Sequence, residues 1–153
     1  MRVSQVIAWS TPSHHSSRHE GISLGLTLAT VTWLWVAVVD ALAGRPFHTF
    51  EALGGVMAFT ILHYALNVML GMVLVSVVHG AERAPSLILG LLFCGIIFQV
   101  AMAMVTNLLT QAVGDVAWIG LFGGSLLGTA LAIALLSRGH PLMEYVHRAE
   151  NER

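Results

Sequence analysis

The sequence predicts an all-α integral membrane protein: a bundle of four transmembrane helices with both termini on the cytoplasmic side (N-in/C-in). Hydrophobic residues make up 56% of its 153 residues and charged residues only 10%, whereas a soluble domain carries about 25% charged residues. The apolar residues are also gathered into four long runs, joined by short links that contain glycine, proline or charge. Such a chain lacks the polar surface that a water-exposed globule needs, so lipid is its expected solvent.

Each apolar run is long enough to cross a membrane. A helix needs about 20 apolar residues to cross a hydrocarbon core of about 30 Å. Lipid offers the backbone no hydrogen-bonding partner, so each crossing segment must be helical. The predicted plan is a cytoplasmic or interfacial segment 1–21, a transmembrane domain 22–137 and a cytoplasmic tail 138–153. Within that domain the predicted helices cover about 22–42, 54–78, 86–109 and 116–136.

The arginines predict the orientation, because basic residues collect on the cytoplasmic side of membrane proteins. Four membrane crossings place Arg45 on the side opposite the termini. The chain has no lysine, and its other arginines all fall on the side of the termini: Arg2, Arg18, Arg83, Arg138, Arg148 and Arg153. The net charge of −1 with neutral histidines excludes the broad basic surface that nucleic-acid binding requires.

Glycines in the fourth run predict a close helix contact. Gly120, Gly124 and Gly128 repeat every four residues, and a stripe of this kind lets another backbone approach. One interpretation is an interface for a partner subunit or a second copy of the chain. The other is packing within the four-helix bundle, which also needs close contacts.

Polar residues inside a membrane are costly and therefore indicate candidate sites. At 1.5 Å per residue, His63 lies roughly 13 Å and Gln99 roughly 15 Å below the outer surface. Thr32 and Ser125 fall near the same depth, and Asn67 follows His63 on the same helix face. One hypothesis is an inward-facing cluster of His63, Asn67 and Gln99 that binds a cofactor, a quinone head group or a proton. The alternative is hydrogen bonding that only holds helices together.

Haem b is a possible cofactor of that cluster. Bis-histidine ligation needs two histidines that face each other, and His63 is the histidine placed well inside the bilayer. A methionine could supply the opposite ligand, although methionine more often fills gaps in apolar packing.

Two further groups of polar residues lie at the membrane surfaces. At the outer edge, Asp40, Arg45, His48 and Glu51 are expected to form a charge network that orders the loop, or else a docking site or a point where ions enter. Pairing with Arg45 would lower the desolvation cost of Asp40. The inner face is rich in histidine and is interpreted as solvated polar surface: His14, His15, His19, His79, His140 and His147.

No nucleophile–base pair, phosphate-binding glycine loop or paired carboxylate motif is recognisable. The sequence therefore predicts no catalytic residue, and it predicts no metal ligand. The cysteine Cys94 lies in an apolar run, where a thiol acts mainly as a small hydrophobic group.

Short motifs along the chain suggest a family. Asp40 and the segment Gly44-Arg45-Pro46 flank the first link, His63 lies early in the second helix, and Arg138-Gly139-His140-Pro141 closes the fourth. This pattern resembles that of small four-helix bacterial membrane proteins with no assigned function. The resemblance implies the same topology and a bacterial origin, but it implies no activity.

Minimal loops and the glycine stripe favour one function. They predict a non-catalytic accessory subunit of a larger inner-membrane complex, such as a respiratory or photosynthetic one. Its expected partners are lipid and other membrane subunits, or a second copy of the chain. The alternative is a small membrane protein that binds haem, a quinone or a transported solute around His63.

Overall fold

The computed structural model describes residues 14–81, 84 and 86–140, and these residues contain helices and links but no strand. The elements are α1 (His14–Leu42), α2 (His48–Ala52), α3 (Val56–Ala81), α4 (Ser86–Val113), a π-helical turn (Trp118–Phe122) and α5 (Gly123–Gly139). Four helices are long and apolar enough to cross a membrane, the π-helical turn and α5 together making the fourth. This confirms the predicted all-helical chain with four candidate spans, while the N-in/C-in orientation stays a prediction.

The helices run alternately up and down, which gives the molecule two ends. We call the terminal end the one that holds the start of α1, the end of α3, the start of α4 and the end of α5. We call the opposite one the loop end. The main buried cluster lies toward the terminal end and consists of Leu24, Leu28, Val75, Val78, Ala81, Ile88, Ala132 and Leu136.

The first helix begins earlier than the apolar run predicts. It already includes His14, whereas the apolar run starts at Ile22. No proline or glycine pair interrupts the segment 14–21, so the polar residues continue the helix beyond its apolar part. An apolar run marks what lipid must cover, and a helix can extend past that limit into polar surroundings.

A glycine crossing joins α1 to α3. A Cβ atom at Gly21 would lie 2.7 Å from the Cα of Met72, and one at Gly25 would lie 2.5 Å from the Cα of Val68. From the other side, a Cβ at Gly71 would lie 2.6 Å from the backbone nitrogen of Gly25. Backbone therefore rests on backbone here, a packing that only glycine permits.

The predicted glycine stripe of the fourth span faces α1 of the same chain. A Cβ at Gly124 would meet Trp35 at 3.2 Å, and one at Gly128 would meet Thr32 at 3.0 Å. Gly120 is also buried, but a Cβ added there would lie 3.9 Å from the side chain of Val39, which is an ordinary contact distance. The stripe thus serves packing within the bundle in this structure.

The π-helical turn explains how α1 also bonds to the fourth span. The indole nitrogen of Trp35 donates a hydrogen bond of 2.9 Å to the carbonyl oxygen of Ile119. A π-helical turn changes the hydrogen-bond partners of local carbonyl groups, and an inserted side chain commonly accompanies such a disturbance. The sequence pattern gave no indication of this turn.

In contrast, α4 lies at the edge of the bundle. In the most apolar 18-residue stretch of α4, only 6% of the residues are buried. The corresponding stretches of α1, α3 and the fourth span have 33%, 17% and 28% of their residues buried. Its fully buried residues are Ile88, Thr106 and Val113. Gly90 and Gly95 have no atom within 4 Å of an added Cβ. Most of this helix therefore faces whatever surrounds the protein.

Candidate functional site

His63 bonds to the neighbouring helix α1. Its Nε2 atom lies 3.0 Å from the hydroxyl of Thr32 and 3.2 Å from the carbonyl oxygen of Ala29. Since a carbonyl only accepts hydrogen bonds, Nε2 carries the proton and donates. The hydroxyl of Thr32 in turn donates to the carbonyl of Leu28 at 2.7 Å. The imidazole also stacks on Phe59, with ring centroids 5.2 Å apart.

Asn67 supports His63 from one turn farther along α3. Its amide nitrogen donates to the His63 carbonyl at 2.9 Å and lies 3.4 Å from each ring nitrogen. Haem iron needs an imidazole nitrogen with a free lone pair. In this structure Nε2 is a hydrogen-bond donor and Nδ1 lies beside the amide of Asn67, so neither nitrogen points freely toward an open space.

Gln99 belongs to a different group, on the contact between α4 and the fourth span. Its amide nitrogen donates to the hydroxyl of Thr129 at 2.6 Å, and its amide oxygen accepts from the hydroxyl of Ser125 at 2.9 Å. Neither His63 nor Asn67 is hydrogen-bonded to Gln99. The predicted common depth thus corresponds to two separate helix pairs: Thr32 with His63, and Gln99 with Ser125.

Two more hydrogen bonds join α1 to α3 beside His63. The indole nitrogen of Trp33 donates to the hydroxyl of Thr60 at 3.0 Å, and the hydroxyl groups of Thr30 and Tyr64 lie 3.1 Å apart. The polar residues of this contact are therefore paired with one another across the two helices. This arrangement is well suited to holding helices together, because each polar group finds its hydrogen-bonding partner on the other helix, where lipid offers none.

At the loop end, Asp40 binds Thr49 rather than its expected partner Arg45. The carboxylate accepts from the Thr49 backbone N–H at 2.7 Å and from its hydroxyl at 2.6 Å. Asp40 is 2% exposed and Thr49 is 1% exposed. The short helix α2 is thereby fixed to α1, since the carboxylate satisfies an N–H group at a helix start that has no partner within the helix.

The other members of the predicted outer-edge cluster spread over the surface. Arg45 is exposed, and its guanidinium lies against Gly114 in the link before the fourth span, 3.6 Å from an added Cβ. Glu51 is exposed and His48 is half-buried. Within residues 14–81, 84 and 86–140, Asp40 forms no ion pair with Arg45, because the turn at Gly44 directs the arginine away along the surface.

At the terminal end, three residues from three helices meet: Glu20 of α1, His79 of α3 and His140 at the end of α5. The Nε2 atom of His140 lies 3.0 Å from one carboxylate oxygen of Glu20, and that of His79 lies 4.0 Å from the other. The two imidazole rings are 4.9 Å apart and nearly perpendicular. The three side chains can offer ligand atoms that all lie within 4.8 Å of one another.

The sequence pattern does not predict a cluster of these three residues. It indicates solvated surface for His79 and His140 and does not single out Glu20. The available signal was topological: all three lie at helix ends that four crossings place on the same side. The predicted tail residues His147 and Pro141 lie outside the described part of the chain.

Comparisons with protein-family models, with curated proteins and with solved structures found no match to this chain. The resemblance to small four-helix bacterial membrane proteins therefore stays a prediction from the motifs. The site arguments consequently depend on the geometry alone.

Proposed function

We propose that this chain is a non-catalytic accessory subunit of a larger complex in the bacterial inner membrane, with both termini in the cytoplasm. The four candidate spans and the excess of arginine in the segments that four crossings would place on the side of the termini support membrane insertion with that orientation. The motifs around Asp40 and His140 support the bacterial origin. The observation that carries the accessory role is the nearly unburied surface of α4.

The exposed face of α4 has features of a contact surface. Gly90 and Cys94 are exposed, four residues apart and therefore on one face. Within the described part of the chain, no other side chain or helix lies within 4 Å of a Cβ added at Gly90. Small residues at this spacing let a second helix come close. The comparable small residues on α1, α3 and the fourth span are already covered by helices of the same chain. The partner of α4 is therefore proposed to be another membrane subunit.

A cofactor-binding role around His63 is the alternative. It would require Nε2 of His63 to give up its bonds to Thr32 and Ala29. A Soret band in the purified protein that disappears in His63→Ala would favour haem binding. A spectrum with protein absorbance alone is the result expected for an accessory subunit.

Site-specific photo-cross-linking in native membranes tests the accessory role. A photoreactive amino acid replaces Ile97 on α4 or, as a matched control, Leu66 on α3. The two positions are 52% and 54% exposed and both lie near the middle of their helices. We expect a discrete protein adduct from position 97 and lipid adducts alone from position 66.

A second variant makes this test specific. Gly90→Leu should abolish the adduct and leave the thermal stability of the purified chain unchanged, because an added Cβ at this position meets no neighbouring atom of the described residues within 4 Å. Lipid adducts alone from both positions would contradict the proposal. An adduct with twice the mass of the chain would assign the α4 contact to a second copy instead of a different subunit.

A further inference from the structure

The cluster of Glu20, His79 and His140 contains an unbalanced arrangement of acceptors. The Nδ1 atom of His79 lies 2.9 Å from the carbonyl oxygen of Val75. A carbonyl accepts only, so Nδ1 carries the proton, and in the neutral ring Nε2 then presents a lone pair. That lone pair lies 4.0 Å from a carboxylate oxygen of Glu20. Two acceptors that face each other repel unless a proton or a metal cation lies between them.

The same hydrogen bond is the one that metal-binding histidines make. A ligating imidazole almost always donates its other N–H group to a carbonyl or carboxylate, which fixes the tautomer and the ring orientation. His79 already meets this condition through Val75. No rearrangement of its tautomer is needed before Nε2 can bind a metal ion.

The surroundings also favour a positive ion. His79 lies in the last turn of α3, and His140 directly follows the last residue of α5. The C-terminal end of a helix carries a partial negative charge. Two such ends and the Glu20 carboxylate therefore meet at one place.

We propose that Glu20, His79 and His140 bind a divalent transition-metal ion, with Zn²⁺ as the ion to test. Two imidazoles and one carboxylate form a donor set that zinc accepts, with water at the fourth position. In a tetrahedral site with bonds of about 2.0–2.1 Å, ligand atoms lie about 3.3 Å apart. One ligand atom from each residue lies within 4.8 Å of the others, so binding an ion would draw these atoms together by up to about 1.5 Å.

Two of the three ligand side chains have room to close around the ion. The side chains of Glu20, His79 and His140 are 39%, 32% and 11% exposed, so the first two have room to rotate. Water can reach the open coordination position through the same exposure. The ion would connect α1, α3 and α5 at the terminal end and would leave α4 unconnected. This site is independent of the accessory role proposed for α4.

Equilibrium dialysis against zinc tests the proposal. The full-length protein, purified in mild detergent with an affinity tag that lacks histidine, is stripped with a chelator and dialysed against micromolar ZnCl₂. We expect about one zinc per chain and a melting temperature that rises with zinc, because a ligand stabilises the state that binds it. Glu20→Gln, His79→Asn and His140→Asn should each weaken binding by about tenfold or more, as expected when a metal ligand or its support is lost.

Two controls separate this site from its neighbours. His19→Asn changes an exposed histidine adjacent to Glu20 and should leave zinc binding unchanged. The triple variant His14→Asn, His15→Asn and His19→Asn removes the other histidines near the start of α1, which could also bind zinc. Zinc binding that survives His79→Asn and disappears in the triple variant would overturn the proposal.

A variant that fails to fold would not obscure the result. Each variant is compared with the parent chain for helix content and for melting temperature without zinc, and Glu20→Gln keeps the shape of the side chain. Folded ligand variants that bind zinc as tightly as the parent would contradict the site. No zinc uptake by the parent chain at micromolar concentration would show instead that the three side chains form only a hydrogen-bonded contact.

Discussion

The helices α3 and α4 are both strongly apolar, yet they join the protein in opposite ways. On α3, Gly71 brings the backbone against α1, and polar side chains are paired across the contact. On α4, a Cβ added at Gly90 or Gly95 would meet no neighbouring atom of the described residues within 4 Å. Gln99 forms the hydrogen bonds that connect α4 to the fourth span. In lipid, apolar character gives no preference for one neighbour over another, so small residues and hydrogen bonds decide which helices pack.

The largest effect expected from this comparison comes from a matched pair of glycine substitutions. Gly25→Leu places a side chain where backbone atoms of α3 already lie, and the overlap should lower the free energy of unfolding by about 3 kcal/mol or more. Gly95→Leu on α4 should leave it unchanged. Unfolding by titration with a denaturing detergent, monitored by helix content, measures both. Equal losses in the two variants would show that α4 is packed as tightly as α3.

A smaller effect is expected at the loop end, where α2 connects α1 to α3. Asp40→Ala leaves the backbone N–H and the hydroxyl of Thr49 without their acceptor. We expect a loss of about 1–3 kcal/mol in the free energy of unfolding, the usual cost of an unsatisfied buried polar group. Glu51→Ala is the control, since this carboxylate is exposed. An Asp40→Ala variant as stable as Glu51→Ala would contradict the assigned role.

The smallest effect concerns the hydrogen bonds that connect α4 to the fourth span. Gln99→Leu removes the bonds to Ser125 and Thr129, and we expect a loss of about 0.6–2 kcal/mol, the range found for hydrogen bonds between membrane helices. Amide hydrogen exchange should accelerate in α4 and stay unchanged at the α1–α3 contact. Asn107→Leu, an exposed polar position on α4, provides the control. Faster exchange in α3 would mean that the helices do not behave as separate contacts.

The sequence predicted a common depth for the polar residues, but it did not predict the pairs that they form. Thr32, His63, Gln99 and Ser125 were placed at one level from residue counting alone. Their division into two groups depends on how the helices are arranged around one another. Depth follows from the position along one helix, whereas pairing depends on the rotation of each helix about its axis, which an all-apolar run does not specify.

The sequence by itself determined that this chain has four helices long and apolar enough to cross a membrane, because backbone hydrogen bonding and apolar length are local properties. Only the tertiary structure decided that Gly25 meets Gly71, that the stripe from Gly120 to Gly128 faces α1, and that Glu20 meets His79 and His140. These residues lie on separate helices. Their meeting depends on three-dimensional fit between surfaces that lipid would solvate equally well.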